Sequence, residues 1–159
     1  MAKLKTNVMR LLEQAHIPYE VTTYEVNDGK IDGQAVAEKI GKSVEEVFKT
    51  LVAVGKSKMY YVFVIPVDLE LDLKKAAHVS GEKSIEMLPV KELQKVTGYI
   101  RGGCSPIGMK KIFPTFIHIS AKELNRITVS GGKIGVQVTL EPDKLCTYLG
   151  AKFESVTKA

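Results

Sequence analysis

Lys49 stands near the start of an apolar, β-branched run from Phe48 to Val54. On a strand it shares a face with Leu51 and Ala53, while Phe48, Thr50, Val52 and Val54 occupy the other. Such a lysine has two uses. It either snorkels to a rim with its head in water, or it is a fixed ammonium that holds a carbonyl or phosphate oxygen at a cleft edge. A second feature is Gly102-Gly103-Cys104-Ser105-Pro106-Ile107-Gly108. Glycines there let main-chain N–H groups converge on an oxygen with no side chain in the way, and the Ser-Pro pair stiffens the loop. The same composition also makes a tight turn. Spacing to a Gly-Lys-Ser/Thr is absent, so this is not a Walker phosphate loop. Ser130-Gly131-Gly132-Lys133 taken alone reads as a hairpin turn.

Other chemistries find little support. His16, His78 and His118 are isolated, so no zinc or other metal site is expected, and no cofactor motif is present. Nothing marks a nucleophile elbow or a Ser-His-Asp set, and Cys104 has no histidine partner along the sequence.

These residues need elements to hold them. Thr6 can cap a helix whose Val8, Leu11, Leu12 and Ala15 fall on one face, stopped by Pro18. Tyr19 to Val26 reads as a strand closed by the turn Asn27-Asp28-Gly29. Gln34 to Ile40 is a short helix with Asp32 as its cap, and Ser43 with Glu46 has capping-box spacing for one more turn. Phe48–Val54 and Met59–Val67, joined by Gly55-Lys56-Ser57-Lys58, predict a central hairpin buried on both faces, because neither run alternates apolar with polar. Leu69–Val79 and Val90–Thr97 read as helices ended by Gly81 and Gly98, with Pro89 at a tolerated first-turn position. Tyr99–Arg101 reads as a short strand leading into the glycine loop. Strands are expected around Phe116–Ile119, at Ile127–Val129 and at Val136–Leu140. A helix from Pro142 to Leu149 ends at Gly150. Helices and strands intermix without a βαβ rhythm, which predicts α+β with a mixed sheet.

The 159 residues suit one domain, and 45% hydrophobic with 26% charged residues excludes disorder. No apolar run nears the roughly 20 residues a membrane span needs, and Met1-Ala2-Lys3-Leu4-Lys5 lacks a signal peptide's apolar stretch. Two cysteines, Cys104 and Cys146, are too few for a disulfide scaffold. A reduced, cytoplasmic protein is expected. The net charge of +5 is uneven: residues 1–80 carry 11 basic and 11 acidic side chains, residues 81–159 carry 12 and 7. A basic half suits a phosphate backbone, though it also fits a solvated lysine-rich surface. Only Arg10, Arg101 and Arg126 are arginines. Sequence-blind contact therefore fits better than readout of duplex base edges, which favours arginine.

Three motifs in order, Val47-Phe48-Lys49-Thr50-Leu51, Gly102-Gly103-x-Ser105-Pro106-x-Gly108 and Val129-Ser130-Gly131-Gly132-Lys133, resemble the YbaK/EbsC proteins, freestanding relatives of the editing domain inserted in bacterial prolyl-tRNA synthetases. The likeness runs from Pro18-Tyr19 to Leu149-Gly150-Ala151. It implies a single editing domain over residues 1–159, with a mixed, mostly antiparallel, barrel-like sheet and flanking helices. The implied activity is trans-editing deacylation of mischarged Cys-tRNA(Pro), with aminoacylated tRNA(Pro) and prolyl-tRNA synthetase as partners and no membrane. Lys49 matches the family's essential lysine. The resemblance also places Tyr24, Thr50, Gly102, Gly103, Ser105, Pro106, Ser130, Gly131 and Gly132 around the substrate, while Cys104 falls at the variable position of its motif. Where some members carry an aromatic residue before the second helix, this chain has Ile31-Asp32-Gly33.

The implied logic is a second sieve. Proline and cysteine are similar in volume, so a synthetase pocket separates them poorly. The substrate is an activated ester, so positioning and oxyanion stabilisation suffice. The family likeness implies that the substrate's own thiol attacks, leaving a cyclic thiolactone. A deacylase for Ala-tRNA(Pro) or another mischarged tRNA, and a non-catalytic binding protein of the same fold, are the alternatives.

Overall fold

The computed structural model describes residues 5–158; the opening Met1–Leu4, read above for a signal stretch, lies outside them. Helix α1 (Asn7–Gln14) starts where Thr6 Oγ1 accepts from Met9 N–H. Strand β1 (Glu20–Thr23) follows, then α2 (Gly33–Lys39), capped by Asp32, whose carboxylate accepts from Ala35 N–H at 3.2 Å. The central hairpin is β2 (Phe48–Gly55) and β3 (Tyr60–Pro66). Next come α3 (Leu73–Ser80), β4 (Ile85–Met87), α4 (Val90–Thr97) and β5 (Thr115–His118). A 3₁₀ turn, Ile119–Glu123, leads to β6 (Ile127–Lys133), β7 (Val136–Leu140), α5 (Pro142–Leu149) and β8 (Lys152–Glu154).

The strands form two sheets. One has the order β4-β2-β3-β5-β8, the other β1-β7-β6. Pairing is antiparallel except for β3–β5 and β5–β8. A bridge between Val47 and Thr128, with Thr128 N–H donating to Glu46 C=O at 2.8 Å, ties β6 to the head of β2. The expected α+β class and mixed, mostly antiparallel sheet are present, with the barrel-like surface made by two sheets meeting at that bridge. As expected, the hairpin is buried on both faces. Phe48, Val52, Val62 and Val64 enter the larger core with α1, β6 and β7, while Ala53, Tyr61, Phe63 and Ile65 pack under α3.

Several local expectations are corrected. Tyr99–Arg101 is not a strand; the glycine loop follows α4 directly. Ser43–Glu46 closes a turn, with Glu46 N–H donating to Ser43 C=O, but does not continue as helix. Helix α3 begins at Leu73, because Leu71 bridges Thr157 and the Asp72 carboxylate takes Lys74 and Lys75 N–H. Ser130-Gly131-Gly132-Lys133 is the bulged end of β6, and the chain turns at Ile134–Gly135. Strand β1 ends at Thr23, short of the expected Val26. Strands β4 and β8, three residues each, are too short for periodicity to register.

The chain after β8 is a strap across α3. Val156 is fully buried; its N–H donates to His118 Nδ1 at 3.3 Å, and its C=O accepts from Asp72 N–H at 2.8 Å. Lys75 Nζ donates to Thr157 C=O at 2.9 Å. Accepting at Nδ1 requires neutral imidazole, and burial, aided by the Lys75 charge, holds the His118 pKa below its ordinary 6.5. The unfolded chain therefore binds this proton more readily, so the stabilisation is complete above about pH 6.5 and is lost as pH falls below it. Thermal melts should show a midpoint that drops through this window, with the drop reduced in His118→Asn. An unchanged pH profile in that variant contradicts the assignment.

Candidate active site

Strand β2 has a free stretch of edge. Its odd-numbered residues bond to β3, as Val67 N–H to Val47 C=O and Gly55 N–H to Met59 C=O show. The even-numbered ones project the other way: Glu46 C=O is taken by Thr128 and Val52 C=O by Leu88 N–H at 3.0 Å. Between these two contacts no strand among the described residues covers this edge of Thr50, whose main-chain N–H and C=O face outward. A cleft of about 740 Å³ occupies this gap.

The cleft brings together Tyr24, Lys49, Thr50, Gly102 and Ser130 of the expected residues, with Cys104 beside them. Lys49 and Thr50 lie on opposite faces of β2 and both reach the cleft because it wraps the strand's edge. Lys49 is half-buried and, among the described residues, forms no ion pair. Burial pulls its pKa below the ordinary 10.5, opposed by the charges of Glu70 and Asp68. Tyr24 Oη and Thr50 Oγ1 are buried without a hydrogen-bond partner among the described residues. An unmet buried hydroxyl costs about 1–3 kcal/mol, so two at one cleft indicate a polar ligand group.

One wall is the segment between β1 and α2. Lys39 Nζ, behind it, donates to Glu25 C=O at 2.6 Å, Asp28 Oδ1 at 2.7 Å and Lys30 C=O at 2.9 Å, and lies 5.8 Å from the Tyr24 ring centre. This one ammonium fixes the wall and the tyrosine it carries. Lys39 was not legible as a site residue, because its partners lie 9 to 14 positions away.

The opposite wall is the head of α4 and the glycine loop. Ser105 and Pro106 do not line the cleft. Ser105 is fully buried, and its Oγ accepts from Ile107 N–H at 3.3 Å, while Tyr99 Oη donates to Ile107 C=O at 2.5 Å. The Ser-Pro pair thus shapes the loop from inside. Gly103 also lies behind the cleft: a Cβ there would sit 3.1 Å from Ile134 N and 3.3 Å from Lys133 C, so a side chain would push the loop a few tenths of an ångström off the β6–β7 turn. Gly131 and Gly132 are packing positions too. At Gly132, with φ +91°, a Cβ would lie 2.8 Å from Val8 Cγ2. Ser130 does reach the cleft, and its cross-strand partner Gln137 joins it there. Gln137, a buried amide between two valines, was a signal the sequence offered and pattern reading passed over.

Cys104 lines the cleft, yet burial pushes its thiol up to about 12. At neutral pH it is not a thiolate, which removes the strongest protein nucleophile in the cleft. The cleft also holds the Lys49 ammonium, the Tyr24 and Thr50 hydroxyls, Ser130, Gln137, Arg101, the Asp32 carboxylate and outward-facing main chain, groups that can position and polarise a substrate.

Comparison with known proteins identifies the family. The family described as the aminoacyl-tRNA editing domain matches residues 31–148. A protein of Enterococcus faecalis, EbsC, provisionally named a Cys-tRNA(Pro)/Cys-tRNA(Cys) deacylase, is 45% identical over 153 residues, covering 96% of this chain and 93% of its own. The chain belongs to the aminoacyl-tRNA editing domain family. As an editing domain it is an aminoacyl-tRNA deacylase, as the motif resemblance implied. A proline–tRNA ligase of Shouchella clausii is 27% identical over 99 residues, 62% of this chain but 17% of the ligase. The editing fold also recurs in a crystal structure described provisionally as a trans-editing enzyme for prolyl-tRNA synthetase. That match has TM-score 0.83 and 22% identity, over 99% of this chain and all of the other. Among the described residues no helix is long and apolar enough to cross a membrane.

Proposed function

We propose that the whole chain acts as one editing domain that removes cysteine from Cys-tRNA(Pro) in trans, in the cytoplasm, on product released by prolyl-tRNA synthetase. The observation that carries this reading is a cleft with an ammonium unpaired among the described residues and a cysteine whose thiol is not ionised. Such a site suits a substrate that brings its own nucleophile. In the reaction, the cysteinyl thiolate attacks the ester carbonyl carbon, forming a C–S bond. The C–O bond to the tRNA ribose breaks, and the ribose oxygen takes up a proton. The thiolactone released is then opened by water to free cysteine. Lys49 Nζ holds the ester or adjoining phosphate oxygen, and Tyr24 Oη and Thr50 Oγ1 orient the aminoacyl group.

The test is deacylation of tRNA(Pro) charged with cysteine, alanine or proline, with and without the synthetase. Hydrolysis of the cysteinyl ester well above the other two supports the reading. Preference for the alanyl ester replaces it with the second substrate, and no turnover of any ester leaves a binding protein.

A further inference from the structure

The positive charge of this protein is concentrated at one place. Between Pro89 and Ile112 stand Lys91, Lys95, Arg101, Lys110 and Lys111 against Glu92 alone. All five cations are exposed, and among the described residues none is paired with a carboxylate. Five cations elsewhere are paired with acids: Lys5 with Glu13, Lys39 with Asp28, Arg126 with Glu20, Lys144 with Glu141 and Lys158 with Glu70. The patch is continuous. Lys110 N–H donates to Thr97 C=O at 3.1 Å and Lys110 Nζ to Lys95 C=O at 3.3 Å, folding the end of the loop back onto α4. It also reaches the cleft, because Val90, Leu93 and Arg101 line its mouth. Val90 and Ile100, 60% and 49% exposed, add apolar surface at this rim. The facing wall has the opposite character, with Glu25, Asp28, Asp32 and Glu38 against Lys30 alone between Tyr24 and Lys39.

We propose that the exposed face of α4 and the adjoining loop, through Lys91, Lys95, Arg101, Lys110 and Lys111, is the surface on which the phosphate backbone of the tRNA acceptor end lies as its esterified 3′ terminus enters the cleft. The proposal rests on the deacylase reading. A nucleic acid joined covalently to the group in the cleft must leave by one rim, and an acidic rim repels it. Four of the five cations are lysines, point charges that hold phosphates without reading bases. The surface therefore supplies salt-sensitive, sequence-blind affinity.

The decisive experiment compares Lys91→Glu/Lys95→Glu with a control pair away from the cleft, Lys56→Glu/Lys74→Glu. Deacylation of Cys-tRNA(Pro) and of the cysteinyl ester of adenosine is followed from 50 to 200 mM salt, and binding of uncharged tRNA is measured in parallel. Each lost phosphate contact contributes about 0.9 to the logarithmic salt slope, so two are worth roughly tenfold over this range. The α4 pair should raise KM for the tRNA about tenfold at low salt and flatten its salt dependence, with kcat and turnover of the adenosine ester unchanged. Equal loss in the control pair, or no change in the α4 pair, overturns the assignment. If the wild type cleaves neither ester, the deacylase reading fails separately, and binding of uncharged tRNA still decides the surface.

Discussion

Lys49→Ala is expected to lose roughly 10- to 150-fold in deacylation rate while remaining folded, the worth of one charge-assisted hydrogen bond of about 1.5–3 kcal/mol. The fold should survive because the half-buried ammonium has no ion-pair partner among the described residues. Burial depresses its pKa, so the folded state disfavours the charge relative to the unfolded chain. Stability from this group is accordingly lowest at neutral pH, where the lysine is charged, and is gained as pH rises through the depressed value toward 10.5. Lys49→Met, which keeps the packed stem, should therefore melt no lower than wild type and be as inactive as the alanine variant. The same depression sets the alkaline limb of the wild-type rate, which should fall below pH 10.5, as the ammonium is lost. Near-normal turnover in a folded Lys49→Met protein removes the residue from the chemistry.

Lys49 was legible because a cation inside an apolar run needs a reason, and the structure supplies a cleft along the strand edge. Asp32 as a cap, the two-faced hairpin and α5 were legible for similar local reasons: each signal lies within a few residues of what it specifies. The cleft itself was not. It exists because β4 stops pairing at Ala53 and β6 bridges the chain at Val47, just ahead of β2, two long-range events with no local signature. The glycine motifs show the other limit. Their composition suggested main chain converging on a ligand, and Gly102 does line the cleft. Gly131 and Gly132 instead meet Val136 and Val8 too closely for a Cβ, and Gly103 packs tightly on Ile134. Sequence reveals that a position is small; which neighbour makes it small depends on the tertiary fold. The charge excess in the second half was likewise visible as a sum, but only the fold of Lys110 onto α4 makes it a surface beside the cleft mouth.

Ser-tRNA(Pro), nearly the same size as the cysteinyl ester, should be cleaved at least about a hundredfold more slowly. A cysteine thiol has a pKa near 8.5, whereas a hydroxyl lies near that of water, about seven units higher. The ionised fraction at neutral pH is thus lower by roughly seven powers of ten. Greater intrinsic reactivity of the more basic oxygen, with a Brønsted slope of about 0.5, restores about half of that exponent and leaves roughly a thousandfold. The Lys49 ammonium at the cleft widens the gap by favouring thiolate. A protein nucleophile predicts the reverse pattern, since an enzyme thiol attacks seryl and cysteinyl esters alike. Cys104 is the thiol lining the cleft, and it stands at about 12. Cys104→Ala should therefore keep most activity, because its main-chain N–H and the loop held by Ser105 and Tyr99 survive the change. Comparable rates on the two esters, or an acyl group trapped on Cys104, would transfer the attack from substrate to protein.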